Sequence, residues 1–407
     1  MVGIWIRGLL AGRSGRLFGA ILGVGLTVGL VIAIGTFTVT ASRSMTRRAI
    51  AGVPVDWQIE LLPGADRAAV VKALGQAAPA TALRAVGYAN AAGFKAVSGQ
   101  TEQTTGPGKV LGLPAGYRAQ FPHQIRLLLG SWNGALIAQQ TAANLHVSIG
   151  DAVTIERVGL PAAQVKVAGV VALPNADSMF QGIGLPKGAG LQAPPDNVVI
   201  LPSARWHALF DPQAAVRPDS VRLQLHVKLA HNHLSPDPGA AFLQVTHAAN
   251  NLEARVAGSA VVGDNLAARL AGARTDSLYA RVLFLFLGVP GVVLAGLFTL
   301  SVAASGAARR RRETALLRTR GAATAQVLAV AGAEAGMIGA GGTVVGLVLA
   351  LLATLAWWRV GALATALPWV GIAILIGAAL AAAGILLPAW REARWSTVAA
   401  SRGSAAR

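Results

Sequence analysis

The residues able to do covalent or metal chemistry are few. His226, His231 and His233 fall close together in HVKLAHNH, with Asp237 nearby. Imidazoles and a carboxylate so placed could ligate a divalent metal. The segment reads as a strand end running into a loop, and the expectation is solvated histidines without a metal. No cysteine is present, which excludes disulfides, thiolate nucleophiles and zinc–thiolate sites. There is no G-x-S-x-G elbow and no H-E-x-x-H helix. G-x-x-x-x-G-K-S/T is absent as well, and GPGK at Gly106–Lys109 lacks its spacing. The chain therefore cannot cradle ATP phosphates in a P-loop, and neither catalysis nor a directly bound cofactor is expected.

Two charged features remain. The stretch RRRRETALLRTRGA, Arg309 to Ala322, packs six arginines into twelve residues and also carries Ala315, Leu316 and Leu317. Glu313, Leu316, Leu317 and Arg320 fall at i, i+3, i+4 and i+7, which makes one helical face with an apolar middle. Such a face suits docking on a protein, whereas a plain basic loop beside a membrane needs no partner. The second feature is Glu334, an acid inside a long apolar run. A carboxylate there is costly and normally faces protein or water. It reads either as a coupling or packing contact or as a side chain reaching the interface.

The elements that hold these residues are apolar. The chain is 54% hydrophobic and only 13% charged, with mean hydropathy +0.55. Soluble domains are nearer 45–50% apolar and about 25% charged. A bilayer core of ~30 Å needs about 20 apolar residues in a helix. Four segments qualify: Leu17–Thr40, Leu278–Ala304, Val327–Trp358 and Leu367–Leu387. The first has an apolar core longer than the ~7–15 residues of a signal peptide and no clean cleavage site, so it reads as a retained span.

Net charge is +18, and its placement decides its meaning. Arg7, Arg13 and Arg16 precede the first span. The arginine block joins spans two and three, and Arg391, Arg394, Arg402 and Arg407 follow span four. These three stretches hold 13 arginines against Glu313 and Glu392. With four spans they share one side, which the positive-inside rule makes cytoplasmic. Residues 1–16, 305–326 and 388–407 are then inside, and residues 41–277 outside. Arg43, Arg47 and Arg48 weaken the pattern locally. Most of the charge is topogenic, and no nucleic-acid partner is needed to explain it.

Small residues recur in the spans. Gly19, Gly23, Gly25 and Gly29 set G-xxx-G spacing twice in span one, a spacing that lets helix backbones approach closely. Pro290 should loosen or bend span two. Between spans one and two the pattern is α+β. Val55–Leu62 alternates like a strand, Ala65–Ala77 has helical spacing, and Ala82–Val97 is strand-like again. The order recurs at Ser220–Leu229, Pro238–Leu252 and Ala254–Val262. Two β-α-β units at opposite ends suggest a split, ferredoxin-like core with a second subdomain inserted. Within the insertion a helix is expected near Asn133–Leu145, then strands at DAVTIERV, QVKVAGVVAL and NVVIL, and a short helix at Ser203–Phe210. Gly- and Pro-rich loops such as Gln181–Pro195 separate them. The spacing of Leu266, Leu270, Ala273 and Leu278 runs straight into span two, which would make a stalk.

This layout resembles the FtsX-like permease family, in particular the MacB/LolC/LolE branch of ABC transporters. Glu313, Leu316, Leu317, Arg318 and the Gly321-Ala322 turn are similar to that family's loop pattern. The next span is similar in Glu334, Gly339, Gly342 and Gly346, and PAWREARWSTVAASR resembles the closing pattern. ALIAQQTAANLHVSIGDAVTI is similar to a segment of MacB-type outer domains. The resemblance implies a permease subunit whose loop, through Glu313, Leu316, Leu317, Arg318, Arg320 and Gly321, docks on a separate cytoplasmic ATPase. ATP and Mg would act through that partner. It also implies a second permease subunit, packing of the glycines and Glu334 within the membrane, and contact with membrane lipid. Two other readings are an FtsX-like regulator of a cell-wall hydrolase and a stand-alone sensor. The outer region is large for the first, and the cytoplasmic tail is short for the second.

Overall fold

The computed structural model describes residues 14–184, 194–305, 310, 312, 315–317, 319–357 and 367–395. The chain forms two compact units, residues 42–277 and the remainder. Helix α1 (Ser14–Ala51) leads from the second of these into the first.

In the unit 42–277, strands β1 (Trp57–Leu61), β2 (Ala80–Ser98), β10 (Val221–Leu229) and β11 (Ala260–Asp264) lie in the order β11-β1-β10-β2, every pair antiparallel. Helices α2 (Arg67–Ala77) and α6 (Pro238–Arg255) complete the expected split β-α-β core. Both helices begin where an aspartate can satisfy an orphan N–H. Asp66 Oδ1 accepts from Ala68 N at 2.8 Å, and Asp237 Oδ1 from Ala240 N at 2.9 Å. Their apolar stripes, Val70 and Leu74 of α2 and Ala241, Val245, Ala249 and Leu252 of α6, pack against Trp57, Ile59, Leu225, Val227 and Val262. Strand β11 starts later than its pattern suggests. Helix α6 runs on to Arg255, and Gly258, at φ +75°, makes the turn that follows.

Strand β2 continues into the insertion, where the sheet closes on itself. The remaining strands are β3 (Thr101–Thr104), β4 (Gly108–Leu113), β5 (Arg126–Gly130), β6 (Ala135–Ala138), β7 (Ala152–Arg157), β8 (Ala163–Ala172) and β9 (Val198–Pro202). Pairing runs β2-β4-β9-β6-β8-β7 and returns to β2, a six-stranded ring. Closure removes the free edges an open sheet would expose. Phe94, Val110, Ile137, Leu145, Val153, Ile155, Val167, Val199 and Leu201 form its core with Trp206 and Phe210 of α5 (Ser203–Val216).

The helix expected at Asn133–Leu145 is corrected. Its first half is strand β6, and only Gln139–Leu145 (α4) is helical. The short run Ala135–Ala138 is buried between β8 and β9, so ladder pairing outweighs helical propensity there. Gly87 and Gly112 form a slot for Trp206, because a Cβ at either position would lie 2.5 Å from its indole. The indole N–H donates to Val110 O at 2.9 Å. Helix α3 (Tyr117–Gln120) is a single turn.

The other unit is built on helices. After α1 come α7 (Asn265–Ala304), α8 (Thr324–Trp357), α9 (Leu367–Ala381), a π-helical turn (Ala382–Leu386) and α10 (Leu387–Trp395). Among the described residues, four helices are long and apolar enough to cross a membrane, and the chain is a multi-pass membrane protein of α+β class. Helix α7 passes through Pro290 as one helix. Half of the most apolar stretch of α1 is buried, against 11% of that of α7, so α1 occupies the centre of the bundle. Val24, Val28 and Ile32 are its fully buried apolar residues.

Candidate functional site

The described part of the arginine-rich connector is helical and has a defined C-terminal end. Ala315–Leu317 and Thr319 are helical, whereas Glu313 and Arg318 lie outside the described residues. Ala322 N donates to Leu317 O at 3.0 Å, the six-to-one bond of a Schellman ending. Gly321 supplies the left-handed residue this ending needs, with φ +86°. Two residues on, α8 begins with half a capping box: Gln326 Oε1 accepts from Ala323 N at 3.1 Å. Leu316 is 61% exposed, Leu317 is half-buried and Arg320 is exposed. Single exposed apolar side chains are common on protein surfaces, so Leu316 is available to a partner without requiring one.

One arginine of the block turns back into the bundle. Arg310 donates to Ala303 O near the end of α7 and lies 3.5 Å from Glu334 Oε1 on α8. The cation thus meets the negative end of the α7 dipole and a carboxylate at once. Glu334 is buried, so its side chain faces protein. A double-mutant cycle with Arg310→Gln and Glu334→Gln, read by thermal unfolding in detergent, is expected to show a coupling of about 1–2 kcal/mol. Additive single-mutant effects would remove the pairing.

The glycines sit where helices touch. Gly25 and Gly29 of α1 face Gly342 and Gly346 of α8, all at i, i+4 spacing. A Cβ at Gly25 would lie 3.2 Å from Gly342 O, and one at Gly29 would lie 3.3 Å from Gly346 O. Gly19 and Gly23 lie on another face of α1, toward Val302 and Thr299 of α7. Gly339 meets Ala381 of α9. Gly35 receives the Trp369 ring of α9, and Gly377 of α9 receives Val28. Neither Gly35 nor Gly377 stands out in the sequence, because the four-residue spacing that marks the others does not include them.

Comparison with known families accounts for both units. The FtsX-like permease C-terminal family matches residues 285–397. The MacB-like periplasmic core domain matches residues 17–245, more than half of the chain. This protein belongs to the FtsX/MacB-type permease family. Such proteins are permease subunits of ABC transporters, which work with an ATPase. No curated protein matches the chain.

Within this permease, the unit 42–277 contains a partly buried polar clamp that the sequence did not reveal. Arg269, near the start of α7, pairs with Asp177. Asn265 Nδ2 donates to Val55 O and Ser178 O, each at 2.8 Å. Gln58 Nε2 donates to Ser178 O at 2.9 Å, and Ser178 Oγ to Gln124 Oε1 at 3.0 Å. These bonds tie the inserted barrel, through the turn at Ala176–Ser178, to the first turns of α7. Ser42 of α1 and Ser277 of α7, the first and last residues of the same unit, share a hydrogen bond of 3.0 Å.

The histidines diverge, and the expectation that all are solvated is corrected. His226 is fully buried. The Tyr88 hydroxyl donates to Met179 O at 2.7 Å, so it accepts from His226 Nε2 at 3.0 Å. Nδ1 then accepts from the Tyr117 hydroxyl at 2.7 Å. Both ring nitrogens are occupied by hydroxyls. Burial lowers the His226 pKa to about 3 and raises those of both tyrosines. His231 Nε2 lies 2.7 Å from Asp56 Oδ2, and His233 is exposed.

Proposed function

We propose that the chain is the transmembrane subunit of a mechanotransmitting ABC exporter in the cytoplasmic (inner) membrane. Its arginine-rich connector docks on a separate cytoplasmic ATPase, which binds ATP and Mg. The connector's pull is relayed through α1 and α7 to a domain on the far side of the membrane, where a substrate is moved or released. A second permease subunit completes the machine. The observation that carries this reading is the connector: a capped helical turn with exposed Leu316, in a chain whose family works with an ATPase. The clamp between α7 and the barrel supports the relay, because a pull on α7 reaches the inserted subdomain through Arg269 and Asn265.

The test uses the permease co-purified with its ATPase. Leu316→Asp is expected to weaken ATPase association about tenfold, the ~1.4 kcal/mol that removing one apolar anchor from an interface costs. Leu316→Asp with Leu317→Asp should uncouple ATPase turnover from the permease while the protein still elutes as a folded species. Unchanged ATPase binding and turnover in the double variant would sink the docking. A cysteine placed at Leu316 and labelled only from outside the cell would sink the orientation as well.

A further inference from the structure

The fourth apolar helix carries a groove that the proposed coupling does not use. It lies between α8 and the π turn, encloses about 440 Å³, and is lined by Leu328, Ala382, Ala383, Leu386, Leu387 and Trp390. That volume falls within the ~300–1,000 Å³ of ligand pockets. The π turn makes room for it. Pro388 has no N–H to return to Gly384, so the helix widens just before it. Small side chains at Ala382 and Ala383 leave the widened face hollow.

We infer that this groove holds an acyl chain of an anionic phospholipid, drawn from the leaflet on the side of the arginine-rich loop. The groove lies at the end of a membrane-crossing helix, and its lining is apolar except for the Trp390 indole N–H. Ala383, Leu387 and Arg391 follow one another at i, i+4 and i+8, so the face that lines the groove leads to an exposed guanidinium where the span ends. Tryptophan and arginine at that level mark the headgroup region. Helix α8 starts at Thr324, one turn before Leu328, which brings its positive N-terminal end to the same level. A cationic mouth on an apolar slot matches a phosphodiester headgroup with its acyl chain.

The test places the full-length protein in phosphatidylcholine vesicles containing a minor fraction of lipid with brominated acyl chains. The Trp390 signal is the fluorescence difference between the native chain and Trp390→Phe. Brominated phosphatidylglycerol is expected to quench it about fivefold more effectively than brominated phosphatidylcholine, the preference one arginine gives near an anionic surface. Arg391→Gln, at an exposed position that leaves packing intact, should bring the two lipids to equality. Ala383→Leu should fill the slot and abolish the excess quenching. Equal quenching by both lipids in the native chain would overturn the site, since that is ordinary annular contact or occupation by another helix. A preference that survives Arg391→Gln would overturn it too.

Discussion

Gly346→Leu is expected to yield no assembled helix bundle. Even a single added carbon at this position would lie 2.6 Å from Val28 Cγ1, 2.7 Å from Val28 Cβ and 2.9 Å from Gly25 O. The last of these is backbone, so no rotamer change relieves it. Overpacking by one or two carbons costs about 1–3 kcal/mol in a well-packed core. Leucine adds three more carbons along the same axis, against the most buried helix of the bundle. Without close α1–α8 contact, little else draws the helices together, because lipid tails are as apolar as their side chains. The measurement is the fraction eluting as a folded species in detergent, with its melting temperature. Gly336→Leu on the same helix is the control. That glycine is exposed and meets nothing within 4 Å, so the variant should behave like the native protein. A native melting temperature for Gly346→Leu would disprove the contact.

The second large effect is a pH dependence seated at His226. In the unfolded chain this imidazole has its ordinary pKa of 6.5, and burial lowers it to about 3 in the fold. The folded state therefore holds the neutral ring, and below pH 6.5 the unfolded state binds more protons. Stability is fully present above about pH 6.5 and is lost as pH falls toward 3. The limiting slope is about 1.4 kcal/mol per pH unit. Below the folded pKa no further loss comes from this residue. Denaturant unfolding of the full chain across this window, compared with His226→Gln, isolates the slope. The glutamine variant should be less stable near neutral pH by about 1–3 kcal/mol, because the Tyr117 hydroxyl loses its acceptor. It should also show a shallower acid dependence. Equal slopes in the two proteins would mean that His226 is not held neutral by the fold.

Much of the architecture was legible because it rests on local patterns. A run of twenty apolar residues has few ways to exist except as a span, so the four spans could be read directly. The two β-α-β units announced themselves by period; their caps, Asp66 and Asp237, act on atoms only two and three residues away but were not singled out in the sequence. The Gly321-Ala322 turn was picked out through the family resemblance, and the structure shows that Gly321 supplies a left-handed helix end. Leu316 and Leu317 could be placed on one helical turn, although whether that turn meets a partner is not a local property.

What escaped depends on distant pairing. β6 looked helical because Ala135–Ala138 is too short to show a period, and only its burial between β8 and β9 makes it a strand. Closure of the barrel needs β7 to return to β2, about sixty residues earlier in the chain. His226 sits in a run of histidines that looks solvated, yet the tyrosines that bury it come from Tyr88 and Tyr117, more than a hundred residues before it. Glu334 could be seen as an expensive acid, but its cation is one specific arginine among several in the block, chosen by where α7 ends. Local sequence dictates which segments are apolar and where the arginines cluster, because those depend on neighbours within a turn or two. The choice of α1 as the central helix, of Gly346 as a glycine pressed against the α1 backbone and of Arg310 as the partner of Glu334 came only from tertiary packing, since each is a distance between residues that the chain order does not bring together.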